Sequence, residues 1–181
     1  AVQAVALEMG IDPAAFKALE SFTGVSGRLE RVENPQGLNV FVDYAHTPDA
    51  VATALRALRP HVMGRIVVVM GAGGDRDRGK RPLMGAAARA NADVLYVTDD
   101  NPRSEDPALI RAAILEACPD ANEVGDRAEA ILMGVDALGP GDALLIAGKG
   151  HESGQTIMGQ VYPFDDVEQA SIAVAALDGV I

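Results

Sequence analysis

Short apolar runs alternate with helical patterns along most of the chain. Residues 39–42, 66–70, 94–97 and 143–147 are rich in Val, Ile and Leu, and none alternates strictly between apolar and polar positions. Continuous runs of this kind predict strands covered on both faces, as in a parallel sheet. The segments between them carry helix start signals. Thr47 precedes Pro48, Asp106 precedes Pro107, and Asp126-Arg127-Ala128-Glu129 places Asp at the cap of a capping box. A last helix is predicted over residues 166–177. The alternation predicts an α/β fold, doubly wound, with a mostly parallel sheet and helices on both faces. Ahead of it, residues 2–9 and 13–20 pattern as two short helices, and Gly24-Val25-Ser26-Gly27 reads as a linker.

In such sheets ligands sit outside the carboxyl ends of the strands. The segments that follow the four runs are Asp43-Tyr44-Ala45-His46, Gly71-Ala72-Gly73-Gly74-Asp75-Arg76, Asp99-Asp100-Asn101-Pro102-Arg103 and Gly148-Lys149-Gly150-His151-Glu152. All four are polar, glycine-rich or charged. A purely structural domain does not need all four to be so, and the convergence predicts a functional edge.

Composition narrows the classes. At 181 residues the chain is long enough for one domain with a real core, and its 49% apolar content fits a globular protein. No apolar run approaches the roughly eighteen residues of a membrane span. The start, Ala1-Val2-Gln3-Ala4, has no signal-peptide pattern and reads as a piece of something longer. A net charge of −11 argues against a nucleic-acid binder. One cysteine, Cys118, excludes an internal disulfide and a cysteine-based zinc site, and its expected role is a small buried side chain. A cytoplasmic setting fits. Against the acidic background, Arg76, Arg78, Lys80 and Arg81 crowd into one short stretch, either a solvated loop or a local anion site.

The glycine-rich exit resembles two nucleotide motifs and completes neither. Gly74-Asp75-Arg76-Asp77-Arg78-Gly79-Lys80 has P-loop spacing, but Arg81 stands where a magnesium-binding hydroxyl is required. Arg76 likewise stands where the dinucleotide pattern needs its third glycine. A loop that lets backbone approach a ligand while Arg76 grips a carboxylate fits better, with a plain tight turn as the alternative. In the next exit, Pro102 stiffens the turn and biases Asn101 toward extended backbone. Arg103 can then bind a carboxylate through two parallel hydrogen bonds, and Asn101 can both donate to a carboxylate and accept from an ammonium. A proline turn before a capped helix explains the same spacing. Gly148 and Glu152 offer close approach beside a carboxylate suited to an ammonium. His151 and His61 are read as ordinary polar contacts. Asp43 at a strand end suits a ribose hydroxyl pair and Arg28 a phosphate oxygen, while an Arg28–Asp43 salt bridge is the structural alternative.

Gly27-Arg28-Leu29-Glu30, Asp43-Tyr44-Ala45-His46-Thr47-Pro48-Asp49, Gly73 through Pro82, Asp100-Asn101-Pro102-Arg103 and Gly148-Lys149-Gly150-His151-Glu152 occur in this order. Together they closely resemble the Rossmann-like C-terminal domain of the Mur ligases, in the branch that adds meso-diaminopimelate to UDP-N-acetylmuramoyl-L-alanyl-D-glutamate during peptidoglycan synthesis. The resemblance implies that residues 25–181 are that domain and that residues 1–24 end the central ATPase domain. It implies an ADP-forming amide ligase in which ATP, with Mg2+, phosphorylates a glutamate carboxyl and the diaminopimelate amine attacks the acyl phosphate. It further implies that Arg76, Asp100, Asn101, Pro102, Arg103, Gly148 and Glu152 hold the diaminopimelate. Arg28 and Asp43 would close over ATP, with Tyr44 and His46 beside them. The family's P-loop, modified lysine and magnesium ligands are not found here, so the implied role is binding, with no catalytic or metal-binding residue and no chemistry of its own. A stand-alone amino-acid or nucleotide-binding module, or a ligase of the cyanophycin or polyglutamate type, is the alternative.

Overall fold

The structure, a computed structural model, describes residues 24–177. The two N-terminal helices expected over 2–9 and 13–20 lie outside the described residues. Six strands form one sheet: β1 (Glu30–Arg31), β2 (Asn39–Asp43), β3 (Ile66–Met70), β4 (Val94–Val97), β5 (Asn122–Glu123) and β6 (Ala143–Ala147). Their spatial order is β1-β2-β6-β3-β4-β5, and every pairing is parallel except β1 with β2. Five helices cover it: α1 (Pro48–Leu58), α2 (Lys80–Asn91), α3 (Pro107–Leu115), α4 (Arg127–Asp136) and α5 (Asp166–Leu177). A separate hairpin, β7 (Gly154–Ile157) with β8 (Gln160–Pro163), lies between β6 and α5. No helix among the described residues is long and apolar enough to cross a membrane.

The continuous apolar runs follow from burial on both faces. All five residues of β3 are buried. Ile66, Val68 and Met70 join Val51, Leu55, Met84 and Ile114 from α1, α2 and α3. Val67 and Val69, on the opposite face, join Ile131 and Val135 of α4 and Ala170 and Val174 of α5. Side chains alternate along a strand, so each face needs its own apolar set and no polar position remains. The helix starts behave as their sequences require. Thr47, Asp106 and Asp126 accept hydrogen bonds from the backbone N–H of Ala50 (3.3 Å), Ala108 (2.9 Å) and Glu129 (2.9 Å). Such caps are each worth about 1 kcal/mol.

The topology fixes where a ligand can approach. The exits of β2, β3 and β4 lead to α1, α2 and α3 on one face, whereas β6 leads through the hairpin to α5 on the other. Because β6 lies between β2 and β3, the chain turns to opposite faces at neighbouring strand ends, which opens a crevice there. Polar ties then set the spacing of the exits. Arg127 and Asp166 have no exposed side-chain surface and form a two-bond pair, Nε to Oδ1 at 2.8 Å and Nη2 to Oδ2 at 2.7 Å. Arg127 also donates to the carbonyls of Asp99 (3.4 Å) and Ala147 (3.2 Å), so it bridges the ends of β4 and β6. Burial works against the cation, but the charge and hydrogen bonds of Asp166 outweigh it and raise the Arg127 pKa. A second tie joins the β3 and β4 exits. Glu105 accepts from the buried Arg81 (2.8 Å) and from the Asp75 N–H (2.7 Å), and Arg78 lies at 3.1 Å.

The hairpin is the element that the hydrophobic pattern does not predict. Its strands are four residues each and of mixed composition, half-exposed in β7 and exposed in β8. Its two-residue turn, Met158-Gly159, has positive φ at both positions, 49° and 79°, where Asn-Gly is the recognisable sequence signal. Strands β1 and β5 have two residues each, too few for any period to register.

Two outcomes are expected. Asp166→Asn leaves a buried guanidinium uncompensated and should cost on the order of 3–5 kcal/mol in urea unfolding, while Arg127→Met with Asp166→Leu should recover most of it. A loss below about 1 kcal/mol for the single variant would contradict this account of the pair. The Glu105 carboxyl is held down to about 2, first by the Arg81 hydrogen bond and then by the Asp75 N–H. A depressed carboxyl contributes stability that is complete above its ordinary value of 4.5 and lost as pH falls through about 2. The stability difference between wild type and Glu105→Gln should therefore be constant near neutrality and vanish across that acid window. A pH-independent difference would refute it.

Candidate functional site

The four strand exits meet around a cavity of about 230 Å³. Tyr44 and His46 come from the β2 exit, Gly73 and Arg76 from β3, Asp100, Asn101 and Arg103 from β4, and Gly148 and Glu152 from β6. Lys80, at the first turn of α2, completes the wall. The expected amino-acid-binding residues are thus brought together, except Pro102. Pro102 is buried behind the wall, and its carbonyl accepts from the Glu105 N–H at 3.0 Å. It shapes the turn, and Gly74 packs so closely on that carbonyl that a Cβ there would overlap it.

Several polar groups of the cavity keep bonding capacity free. Asp100 is buried, and among the described residues its carboxylate accepts no hydrogen bond; the nearest cation, Lys149 Nζ, is 4.0 Å away. Gly148 has φ of 123°, and a Cβ on it would lie 2.5 Å from Asp100 Oδ2, so only glycine leaves this carboxylate open. Asn101 Oδ1 accepts from Lys149 Nζ (3.1 Å) and from the Thr156 N–H (2.8 Å), while its Nδ2 donates to Glu152 Oε2 (2.9 Å). Both lone pairs of Oδ1 are taken. Asn101 thus accepts from an ammonium and donates to a carboxylate, both the protein's own, and one N–H is left to donate to a ligand. Glu152 keeps Oε1 for that task.

Arg103 sits in left-handed backbone at φ of 53°, a conformation that is unfavourable for any residue with a Cβ. The hairpin holds it there. Arg103 N–H donates to Thr156 O at 3.0 Å, and Met158 N–H donates to Arg103 O at 2.6 Å. Its Nη1 is tied to Gly74 O at 2.8 Å, and among the described residues Nη2 and Nε make no hydrogen bond. One edge of the guanidinium is anchored and the other is available for a carboxylate. Arg76 is exposed, with Nη1 on its own loop at Asp75 O (3.2 Å). The basic stretch thus divides. Arg81, the residue that rules out a P-loop, is a buried structural arginine, and Arg76 and Lys80 face the cavity. Lys80 was not singled out as a site residue in the sequence, because a lysine opening a helix carries no signal of its own.

A second recess of about 370 Å³ lies alongside, lined by Arg28, Leu29, Asp43, Tyr44, Ala45, His46 and small residues of α1. Tyr44 and His46 belong to both walls. The Tyr44 ring carries Arg28 at 4.6 Å, His46 edge-on at 4.5 Å and His151 at 5.4 Å. Arg28 does not pair with Asp43. The Asp43 oxygens accept from the N–H groups of Leu29 and Ala45, both at 2.8 Å, and each keeps a free lone pair. His61 is exposed on a turn after α1, away from the cavity. Cys118 is buried and donates to Ile114 O, and burial pushes its thiol pKa up. Another cavity of about 230 Å³, around Arg89, Cys118 and Asn122, opens at the amino end of β4, the wrong end for a ligand site in this topology. Among the described residues no group of three His, Cys, Asp or Glu side chains could hold a metal ion.

The Mur ligase, glutamate ligase domain family matches residues 27–150, from the loop before β1 to the exit of β6. Curated relatives named UDP-N-acetylmuramoyl-L-alanyl-D-glutamate--2,6-diaminopimelate ligase include that of Caulobacter vibrioides, 58% identical over 164 residues, which are 90% of this chain and 34% of that protein. The ligase of the same name from Bradyrhizobium diazoefficiens is 56% identical over 173 residues, 95% of this chain and 36% of that protein. The chain spans about a third of the length of the curated relatives it matches. A solved structure of a ligase of this name superposes with a TM-score of 0.80 at 40% identity, over 96% of this chain and 37% of that one. A Mycobacterium tuberculosis folylpolyglutamate synthase, with a TM-score of 0.62 at 23% identity over 97% of this chain and 37% of that one, shares the fold. The sheet order, the crevice beside β6 and the matched segment agree: this chain belongs to the Mur ligase family and carries its glutamate ligase domain.

Proposed function

We propose that this chain is the amino-acid-recognising domain of an ATP-dependent, ADP-forming ligase that joins meso-diaminopimelate to UDP-N-acetylmuramoyl-L-alanyl-D-glutamate in the cytoplasm. The observation that carries the proposal is the composition of the β6-side cavity. Arg76, Arg103 and Lys80 line it together with Asp100 and Glu152. Diaminopimelate bears two carboxylates and two ammonium groups, and a wall of both signs suits it at both ends. The volume supports the same class, since about 230 Å³ is below the roughly 300–1,000 Å³ of sites for larger ligands. The relatives carry the corresponding name in print.

In this reading Arg103 grips one carboxylate through Nη2 and Nε, with the free Asn101 N–H beside it. Glu152 Oε1 and Asp100 hold an ammonium. Arg28, Asp43, Tyr44 and His46 receive the nucleotide, whose base can lie on the small apolar residues of α1 while Asp43 accepts from the ribose. The described residues do not fit a magnesium site, and no step is assigned to one. The domain's contribution to amide formation is placement: it holds the attacking amine close to an activated carboxyl, so that a bimolecular encounter becomes an internal one. Residues 1–24 are proposed to end the preceding ATPase domain.

Three results are expected from steady-state kinetics of the full-length ligase. Arg103→Lys replaces a fork by a point charge and should cost on the order of 2–5 kcal/mol, at least tens-fold in the KM for diaminopimelate, with the KM for ATP near normal. Preference for meso-diaminopimelate over L-lysine in kcat/KM should be about a thousandfold or more, because lysine leaves a guanidinium unpaired and shape alone gives roughly 10–200-fold. Arg103→Ala should shrink that ratio, and comparable rates with the two amino acids would sink the assignment. Arg28→Ala should raise the KM for ATP and spare that for diaminopimelate; the reverse pattern would remove Arg28 from the nucleotide side.

A further inference from the structure

We infer that Lys149 is a positioning residue of the amino-acid site: its buried ammonium fixes the Asn101 amide in the one orientation that turns its N–H groups toward Glu152 and the cavity. The inference rests on the proposed amino-acid site and adds to it a residue that touches no ligand. Lys149 has no exposed side-chain surface, which is rare for lysine without partners. Two of its three donors are committed, to Asn101 Oδ1 at 3.1 Å and to Gly154 O at 2.7 Å. The carboxylates of Asp100 and Glu152 both lie at 4.0 Å, and the Phe164 ring centroid at 6.0 Å. Lys149 thus joins the β4 exit, its own β6 exit and the first residue of the hairpin.

The amide of Asn101 could in principle point either way. As placed, Oδ1 faces two donors, Lys149 and the Thr156 N–H. Flipped, its NH2 would meet both, donor against donor, and its oxygen would face the Glu152 carboxylate. Lys149 therefore sets the polarity of the wall. Its charge matters as well. The Arg127–Asp166 pair is internally balanced, so Lys149 stands against Asp100 and Glu152 and leaves one negative charge to meet a ligand ammonium. Without it the Asp100 and Glu152 carboxylates lose the cation that lies 4.0 Å from each. Burial pushes the Lys149 pKa down, and the Asp100 charge opposes this, so the ammonium is held at a desolvation cost that an apolar plug would not incur.

The test uses the full-length ligase with Lys149→Met, Asn101→Ala and the double variant, with Arg103→Ala as reference. Lys149→Met should raise the KM for diaminopimelate by about tenfold or more while the KM for ATP moves by less than about twofold. The double variant should be little worse than Asn101→Ala, since a residue that acts through another is not additive with it. Where Lys149→Met does not yield folded protein, Lys149→Gln keeps a donor and loses the charge, and should show the same split with a smaller rise. An unchanged KM for diaminopimelate in either variant, equal rises in every KM, or additivity with Asn101→Ala would overturn the inference. A silent Arg103→Ala would mean that the amino-acid site itself is misplaced. A damaging Arg103→Ala with a silent Lys149 variant would remove only Lys149.

Discussion

The Asn101 side chain, with two acceptor bonds and one donor bond all spent inside the protein, locks the carboxyl edge of the sheet from beneath. A parallel sheet delivers its strand exits to one edge but says nothing about their spacing. Here the spacing comes from polar ties between loops. Asn101 links the β4 exit to Lys149 and Glu152 of the β6 exit and to the hairpin, and its carbonyl accepts from Gly74 of the β3 exit at 2.9 Å. Arg81–Glu105 and Arg127–Asp166 repeat the device at either side. Buried polar groups of this kind are costly to desolvate and contribute little net stability when satisfied, but removing one member leaves its partners stranded. The edge is accordingly held in place where the side chains of Asp100, Glu152 and Arg103 line the cavity.

The chemistry of the wall follows from that placement. Arg103 is presented in a backbone conformation it would not choose, held by two hydrogen bonds from the hairpin, with one edge of its guanidinium anchored on Gly74. Its other edge can then meet a carboxylate without first losing side-chain freedom. Tyr44 and His46 line both the cavity of proposed amino-acid binding and the neighbouring recess. Two ligands on either side of one tyrosine would lie close together, which suits a domain whose proposed work is to bring an amine to an activated carboxyl.

Much of this was legible in the sequence because burial on both faces leaves a strong mark. The runs at 66–70, 94–97 and 143–147 have the boundaries of β3, β4 and β6, and the three Thr or Asp caps stand where the sequence places them. The four polar exits could be read as one edge because strand direction alone gathers them. What could not be read depends on long-range pairing. The hairpin is short, solvent-facing and mixed in composition, and it turns on Met158-Gly159, so neither periodicity nor turn chemistry announces it. Without the hairpin, the sequence of the β4 exit is compatible both with an arginine fork at Arg103 and with a plain proline turn, and nothing local decides between them. Lys149 stands in a loop and Arg81 in the first turn of α2, and nothing local distinguishes a buried cation from a solvated one. Asn101 was read with both functions free because its partners lie about fifty positions away in sequence.

The most direct measurement is a crystal structure of the full-length protein, the proposed ligase, with meso-diaminopimelate bound. The account places one ligand carboxylate within hydrogen-bond distance, about 2.7–3.2 Å, of Arg103 Nη2 or Nε, and an ammonium against Glu152 Oε1 or Asp100. It also keeps Asn101 Oδ1 on Lys149 and Thr156. A ligand bound away from the β6-side cavity, or in it with Arg103 turned to solvent and an ammonium on Asn101 Oδ1, would contradict it.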